Sequence, residues 1–572
     1  MPFIIANGAL ERLATDALMP NTIKYLMGDY GMELAQGTQM IFFWNYAVNF
    51  MPLVRAALAD SYLGRFFTIG LGSVICFLGM ILLWLTTIIP QTKPPPCAGS
   101  HTCQSATATQ LALLFSSFAL IAVGSGSLRP SSLAFGADQL DQRDGSKNKY
   151  ALESYFISVS VLISLTGIVY VQENFGWKIG FGILAVLMFL AVVVFFIPSS
   201  FYVKHTPSSS VLVHFAQVIV ASFRKRKLPL LLTSAGDECY HCEKGSKFLI
   251  PTDSLRFLNK ACILTSYEQN VASDGSALDP WKVCTVEQLK AVLKVMPIWS
   301  AGIMASLNLR QDTFSMDRHI PPTFQILAGT FGMFILISLI IWMILYDRAI
   351  LPLASSLCGK PVRLGVKQRM GIGLSLSCFA MLMSVTVEQI RRQRAIGLES
   401  LSDANQVGNM SAMWLIPQCV IMGLAEAFNS ISQTEFYYSE LPKSKLSIAG
   451  CLCPLGASVA NLLASAILTL VNHMTSGNGN LNWVSSDINV GRYDSYYALL
   501  AALSFANLIY YMACSRAYGP CSGDATQKEK PEMEEEEGRV REGDLLKSNK
   551  YSYVASWPDR WIRSEVILDK FP

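Results

Sequence analysis

Twelve times along this chain of 572 residues, an apolar run of about 17 to 25 residues recurs, and that recurrence limits the fold more than any other feature. A hydrocarbon layer ~30 Å thick needs about 20 helical residues at 1.5 Å each. The runs cover approximately 2–19, 38–58, 67–89, 109–128, 151–171, 178–198, 289–309, 323–346, 369–388, 411–434, 446–472 and 494–514. They predict an all-α membrane protein with about 12 transmembrane helices. Composition agrees: 52% of residues are hydrophobic and 15% charged, against about a quarter charged in soluble domains. The net charge of +4 asks for no nucleic acid or polyanionic partner. The partner that composition implies is the lipid bilayer.

A polar stretch from Ser199 to Gln288 divides the runs into six and six. The organisation expected is an amino-terminal six-helix bundle (1–198), a linker (199–288), a carboxy-terminal six-helix bundle (289–514) and a partly disordered tail (515–572) with the acidic run Glu534 to Glu537. Arg224, Lys225, Arg226 and Lys227 place the linker in the cytoplasm by the positive-inside rule and are able to meet anionic headgroups, a solvated anchor being the other reading. Leu255, Phe257, Leu258 and Ala261 space as a short helix at that face. The loop after span eight, with Arg348, Lys360, Arg363, Lys367 and Arg369, agrees with this orientation; "QIRRQR" (Gln389 to Arg394) falls on the opposite side and speaks against it.

Enzyme signatures are missing: there is no H-E-x-x-H, G-x-S-x-G, P-loop or dinucleotide fingerprint. No cofactor or metal is expected, because Cys239, His241 and Cys242 in "CYHC" lack a second ligand pair. Cys97 and Cys103 share a predicted outer loop that permits a disulfide without requiring one. What carries chemistry is a short set of ionisable residues at membrane depth, where a charge costs ~2.5 to 3.5 kcal/mol on translocon scales and usually faces a cavity or partner. Glu11 and Arg12 lie in span one, Arg129 in span four and Glu426 in span ten. Gly8, Glu11 and Arg12 stand at i, i+3 and i+4, so they are expected to share the pore-facing side of span one. Being adjacent, Glu11 and Arg12 point about 100° apart, and each is expected to reach another helix.

Longer motifs give a resemblance. "ALERLA", "ALADSYLGRF" (Ala57 to Phe66), "SLAFGADQLD" (Ser132 to Asp141), "GWKIGFG" (Gly176 to Gly182), "MDRHI", "YDRAILPLA", "QRMGIGL", "IPQCVIMGLAEAF" and "INVGRYD" are similar to those of the plant nitrate/peptide transporter (NRT/PTR) family. That family is the proton-coupled oligopeptide transporter branch of the major facilitator superfamily, and the resemblance spans almost the whole chain. It implies a proton-coupled symporter working by alternating access, with low-affinity nitrate as the first substrate reading. Peptides, or plant hormones such as gibberellin, remain open, as does a transport-defective receptor or regulatory membrane protein. It implies the plasma membrane, with the vacuolar membrane as the alternative, and leaves open homo- or hetero-oligomers.

The family's span-one motif is E-x-x-E-[RK], coupling protons to substrate. Glu11 and Arg12 match its last two positions, while Gly8 stands where the first carboxylate is expected. Arg129 and Glu426 match the family's cation on span four and glutamate on span ten, an ion pair that breaks and reforms. Asp60, Gly64 and Arg65 match the loop motif after span two, expected to serve gating and topology, although Arg55 occupies a position where glycine is usual. The aromatic stretch typical of span five is reduced to "SYFISVSV", and the chain starts beside span one, leaving an estimated 26 Å of helix there. An incomplete or inactive copy is the other reading of those departures.

Overall fold

The computed structural model describes residues 2–58, 64–95, 106–138, 159–203, 211–227, 252, 255–262, 283–307, 316–317, 319–320, 324–325, 328–359, 364–399, 408–441, 446–475, 483–485 and 491–519. The "CYHC" stretch, Cys97, Cys103, Asp60, the first residues of span five and the acidic tail lie outside them.

Among the described residues, eight helical stretches are long and apolar enough to cross a membrane. They coincide with predicted spans three, four, six and eight to twelve. Phe67, Phe115, Phe189 and Ile341 lie exposed on them, a surface that suits lipid rather than water.

Span one is longer than its apolar run suggests. α1 (Pro2–Asp16) is followed after Ala17 by α2 (Leu18–Tyr30). Ala17 keeps helical dihedrals, φ −69° and ψ −18°. Pro20 has no N–H to give the Asp16 carbonyl, so the hydrogen-bond ladder breaks there while the path continues. The expected 26 Å is therefore corrected: the two helices carry 28 residues, about 42 Å of rise.

α3 (Leu34–Leu58) forms span two, α4 (Gly64–Ile88) span three and α5 (Ala108–Asp138) span four. α4 and α5 approach through small residues. A Cβ on Gly124 would stand 2.5 Å from the Cys76 Cβ and backbone N, and one on Gly79 would stand 2.8 Å from Ile121. Such contact replaces the hydrophobic effect, which is weak between helices already in lipid.

Span five enters the described residues as α-helix at 159–163 and continues through a π-helical segment, Ser164–Ile168, into α6 (Val169–Asn174); α7 (Trp177–Phe196) is span six. Polar side chains pin this half together. Asn7 Nδ2 donates to the Ala191 carbonyl at 2.9 Å, Asn21 Nδ2 to Gln172 Oε1 at 3.2 Å, and Gln172 Nε2 to the Ala17 carbonyl at 3.3 Å.

The linker is not polar throughout. It contains α8 (Val211–Arg224) and the expected short helix, Arg256–Asn259, running into a 3-10 turn at Lys260–Cys262. α9 (Val283–Ala305) is span seven and starts six residues before its apolar run; Lys290 in its second turn is held by Glu287 at 2.7 Å and by the Thr252 carbonyl at 2.7 Å.

Span eight is α10 (Gly332–Leu345), continued through a π-helical segment, Tyr346–Ile350, into α11 (Leu351–Cys358). The cation-bearing loop expected after residue 346 is thus helical as far as Gly359, whose φ of +64° ends it. α12 (Val366–Glu399), α13 (Ile416–Glu440), α14 (Leu446–Thr475) and α15 (Tyr493–Tyr518) complete the order.

α12 has 34 residues, about 51 Å, so the "QIRRQR" residues continue the helix beyond a ~30 Å core. Arg391 binds Glu388 by two hydrogen bonds, 2.9 and 2.7 Å, and Arg392 reaches Asp494 at 3.4 Å. Four short strands, unforeseen in the sequence, lie on the same side: β1 (Met316–Asp317) pairs parallel with β4 (Gly408–Ser411), and β2 (His319–Ile320) antiparallel with β3 (Phe324–Gln325).

One buried cluster gathers residues from Ile4 to Phe195 and a second from Phe215 to Tyr511. The two halves meet where α3 runs antiparallel to α14. Gln39 donates to Thr469 at 3.0 Å, Ser458 to the Tyr46 carbonyl at 3.2 Å, and the Cys451 thiol to the Pro52 carbonyl at 3.7 Å.

Candidate functional site

The apolar face of α1 fixes where its ionisable residues go. Ile4, Asn7, Glu11, Ala14, Thr15 and Leu18 form its buried stripe, which faces the amino-terminal half through the Asn7 to Ala191 bond. Glu11 is 1% exposed, and the Thr15 hydroxyl donates to its Oε1 at 3.0 Å. A carboxylate there is isolated from bulk water, which makes its charge expensive and its proton affinity sensitive to what it touches.

Arg12 occupies the neighbouring, half-open stripe. Its guanidinium lies 3.7 Å from the Asp16 carboxylate one turn on, with both side chains partly exposed. Asp16 stands four residues on from Arg12, an i, i+4 spacing visible in the sequence. Gly8 shares this stripe, and a Cβ built on it would meet nothing within 4 Å. So Gly8, Arg12 and Asp16 share a half-open stripe while Glu11 is buried beside them. The reason is angular: positions 8, 12 and 16 drift only 40° per step, whereas position 11 lies 100° from 12.

Arg129 stands in α5 by its backbone; its side chain lies outside the described residues. Glu426 is near the middle of α13 and exposed, between buried Ala425 and Ala427. Ser430 and Thr434 are exposed on the same stripe, at i+4 and i+8, while Val420 and Ile431 occupy another, apolar one. The sequence reading singled out Glu426 but not this stripe, which i, i+4, i+8 spacing would have revealed.

Gly64 has a φ of +72° at the start of α4, a left-handed conformation that glycine adopts without strain, which accounts for glycine in that loop motif. Arg65 is half-buried beside it and Arg55 is buried at the end of α3. Also unforeseen is a buried ladder on α13, with Gln433 donating to Asn429 at 3.1 Å and Tyr437 to Gln433 at 3.4 Å. Among the described residues no group of three or more His, Cys, Asp or Glu is arranged to hold a metal.

A helical, multi-pass membrane protein with charge embedded in two opposite halves is the architecture of a solute carrier, and solved structures share it. The chain matches an auto-inhibited POT family peptide transporter with a TM-score of 0.63 at 19% identity, covering 90% of this chain and 96% of that one. It matches the POT family transporter PepTSo with a TM-score of 0.65 at 17% identity, covering 90% and 97%. Identities this low speak for the fold, that of the major facilitator superfamily. The sequence supplies the family: residues 66–484 match the family model "POT family" (PTR2). The chain is 53% identical to Protein NRT1/PTR FAMILY 1.2 of Arabidopsis thaliana over 91% of its length and 89% of that protein. It is 51% identical to Protein NRT1/PTR FAMILY 1.1 of the same plant, over 94% of each. The protein therefore belongs to the POT, or NRT1/PTR, family of proton-dependent membrane transporters, and it is a transporter rather than an enzyme.

Proposed function

We propose that this transporter is a proton-coupled symporter of a small anion, with low-affinity nitrate as its substrate and the plasma membrane as its site. The observation that carries this reading is the arrangement on α1: a buried carboxylate, Glu11, beside an open stripe holding a guanidinium, Arg12. An arginine does not lose its proton at any physiological pH, so proton movement falls to Glu11 and Glu426. Protonation of a buried carboxylate removes its charge, which ties its state to what neighbouring cations hold. Nitrate is planar with three acceptor oxygens, and the planar guanidinium fork of Arg12 suits it.

The Arg12–Asp16 separation of 3.7 Å is longer than the 2.7–2.9 Å of a tight charge-assisted bond, so an arriving anion competes with Asp16 on favourable terms. Arg129 is assigned as the second cation and the partner of Glu426. The bundles 1–198 and 289–514 are assigned as the units that rock about the central space, and Asp60, Gly64 and Arg65 as the loop that gates it.

The test is uptake in oocytes expressing the full chain, with labelled nitrate at acidic and neutral external pH and with a dipeptide and gibberellin as competitors. Nitrate entry stimulated by acid supports the proposal. Acid-stimulated entry of one of the competitors alone moves the substrate to that class.

Gly8 favours a second reading, a receptor or regulatory protein that keeps the fold, because it leaves the open stripe without a carboxylate at that turn. Substrate binding with no current from a chain that reaches the surface would establish it.

A further inference from the structure

Apart from a narrow strip with Gln217 and Arg224, the linker helix α8 exposes little that suits water. Phe215, Val218 and Ala221 are buried and join the cluster that holds Leu258, Ala261 and the first turns of α9, and buried Ser222 donates to the Leu258 carbonyl at 3.4 Å. The opposite face would be polar on a soluble domain, yet Val213, Ala216, Ile219, Val220 and Phe223 are exposed along it, Phe223 to 69%. At 100° per residue these five fall within one 120° stripe. A further exposed apolar residue, Phe257, lies in the segment tied to the helix end, where the Lys260 ammonium donates to the Arg226 carbonyl at 2.6 Å.

Charge is concentrated where this stripe ends. Arg224, Arg226 and Lys227 are exposed and Lys225 is half-buried, with the Arg226 guanidinium 5.0 Å from the centre of the Phe223 ring. Position sets the surroundings: the linker leaves α7 at Phe196 and enters α9 at Val283, and α8 packs on the first turns of α9 and also touches α3. It therefore sits at the membrane boundary. An apolar stripe bordered by four cations at that level complements acyl chains beneath a negative headgroup layer.

We propose that α8 lies in the bilayer surface on the linker side as a binding site for anionic phospholipid, with Val213, Ile219, Val220 and Phe223 among the acyl chains and Arg224 to Lys227 on the phosphates. Each cation near an anionic leaflet is worth about a fivefold preference. The site is separate from the transport cavity.

The test is hydrogen–deuterium exchange of the full chain in nanodiscs of phosphatidylcholine, with and without phosphatidylserine. Residues 211–227 are expected to exchange more slowly when phosphatidylserine is present, and salt is expected to erode that protection. Changing Arg224, Lys225, Arg226 and Lys227 together to Gln is expected to abolish the phosphatidylserine effect while the spans exchange as before. Should that variant fail to fold, the salt titration of the natural chain decides. Equal exchange in the two lipids overturns the proposal, as does a phosphatidylserine effect that survives in the Gln variant or at high salt. Protection already complete in phosphatidylcholine, and lost when Glu534 to Glu537 are changed to Gln, also overturns it by assigning the patch to the acidic tail.

Discussion

Restoring a carboxylate at position 8 tests the geometry of the site and its proposed chemistry together. A side chain there begins in open space, since a Cβ on Gly8 meets nothing within 4 Å. Replacing glycine inside a helix gains roughly 0.5–0.8 kcal/mol for Glu and about 1 kcal/mol for Ala. A glutamate four residues before Arg12 adds about 0.2–0.5 kcal/mol as an i, i+4 pair in the favourable order. Gly8→Glu is therefore expected to stabilise the protein by about 1 kcal/mol, read as a rise in thermal midpoint of purified protein. Gly8→Ala should give a comparable rise. Only the glutamate should alter transport, because it supplies a second titratable carboxylate beside Arg12. Uptake of nitrate at acidic and neutral pH should show a changed pH dependence in Gly8→Glu and the natural dependence in Gly8→Ala. Were Gly8→Glu to lower stability by several kcal/mol, the cost of a dry, unpaired charge, the stripe would not face water. If its stability rises but pH dependence stays as it was, position 8 takes no part in coupling.

Further expectations rest on contacts elsewhere. Asp16→Asn frees Arg12 from its carboxylate, so the KM for nitrate should fall severalfold in uptake measurements; a higher KM would show that Asp16 positions Arg12 instead of competing for it. Glu388→Gln removes the carboxylate that holds Arg391, 4% exposed, by two hydrogen bonds and should destabilise by up to about 3–5 kcal/mol in thermal unfolding. Gly124→Ala forces a methyl group to within 2.5 Å of Cys76 and should cost about 1–3 kcal/mol. That is opposite in sign to Gly8→Ala, and equal signs in the same unfolding assay would refute the close approach of α4 and α5.

The membrane class, the spans and the family were legible because each depends on residues read in order. Twenty apolar residues are long enough to cross hydrocarbon whatever they pack against, and motifs such as "IPQCVIMGLAEAF" (Ile416 to Phe428) are strings. The misreadings came where a neighbour overrides the string. The apolar run of span one stops at residue 19, yet the missing N–H of Pro20 interrupts only one bond and Asn21 finds a buried partner in Gln172. The linker read as polar because Arg224 to Lys227 dominate it, while "VLVHFAQVIVASF" (Val211 to Phe223) was an apolar helix too short to be taken for a span.

By itself the sequence determined that this chain lives in a bilayer, that charge is embedded in it, and at which positions. Only the tertiary structure decided that Glu11 is sealed against its own half while Gly8 and Arg12 open to space, and that Glu426 shares a polar stripe with Ser430 and Thr434. Hydropathy is a property of single residues summed along a segment, so it survives without knowledge of the fold. Which face of a helix meets protein, water or lipid depends on partners hundreds of residues away, such as Ala191 for Asn7, and no local pattern contains them.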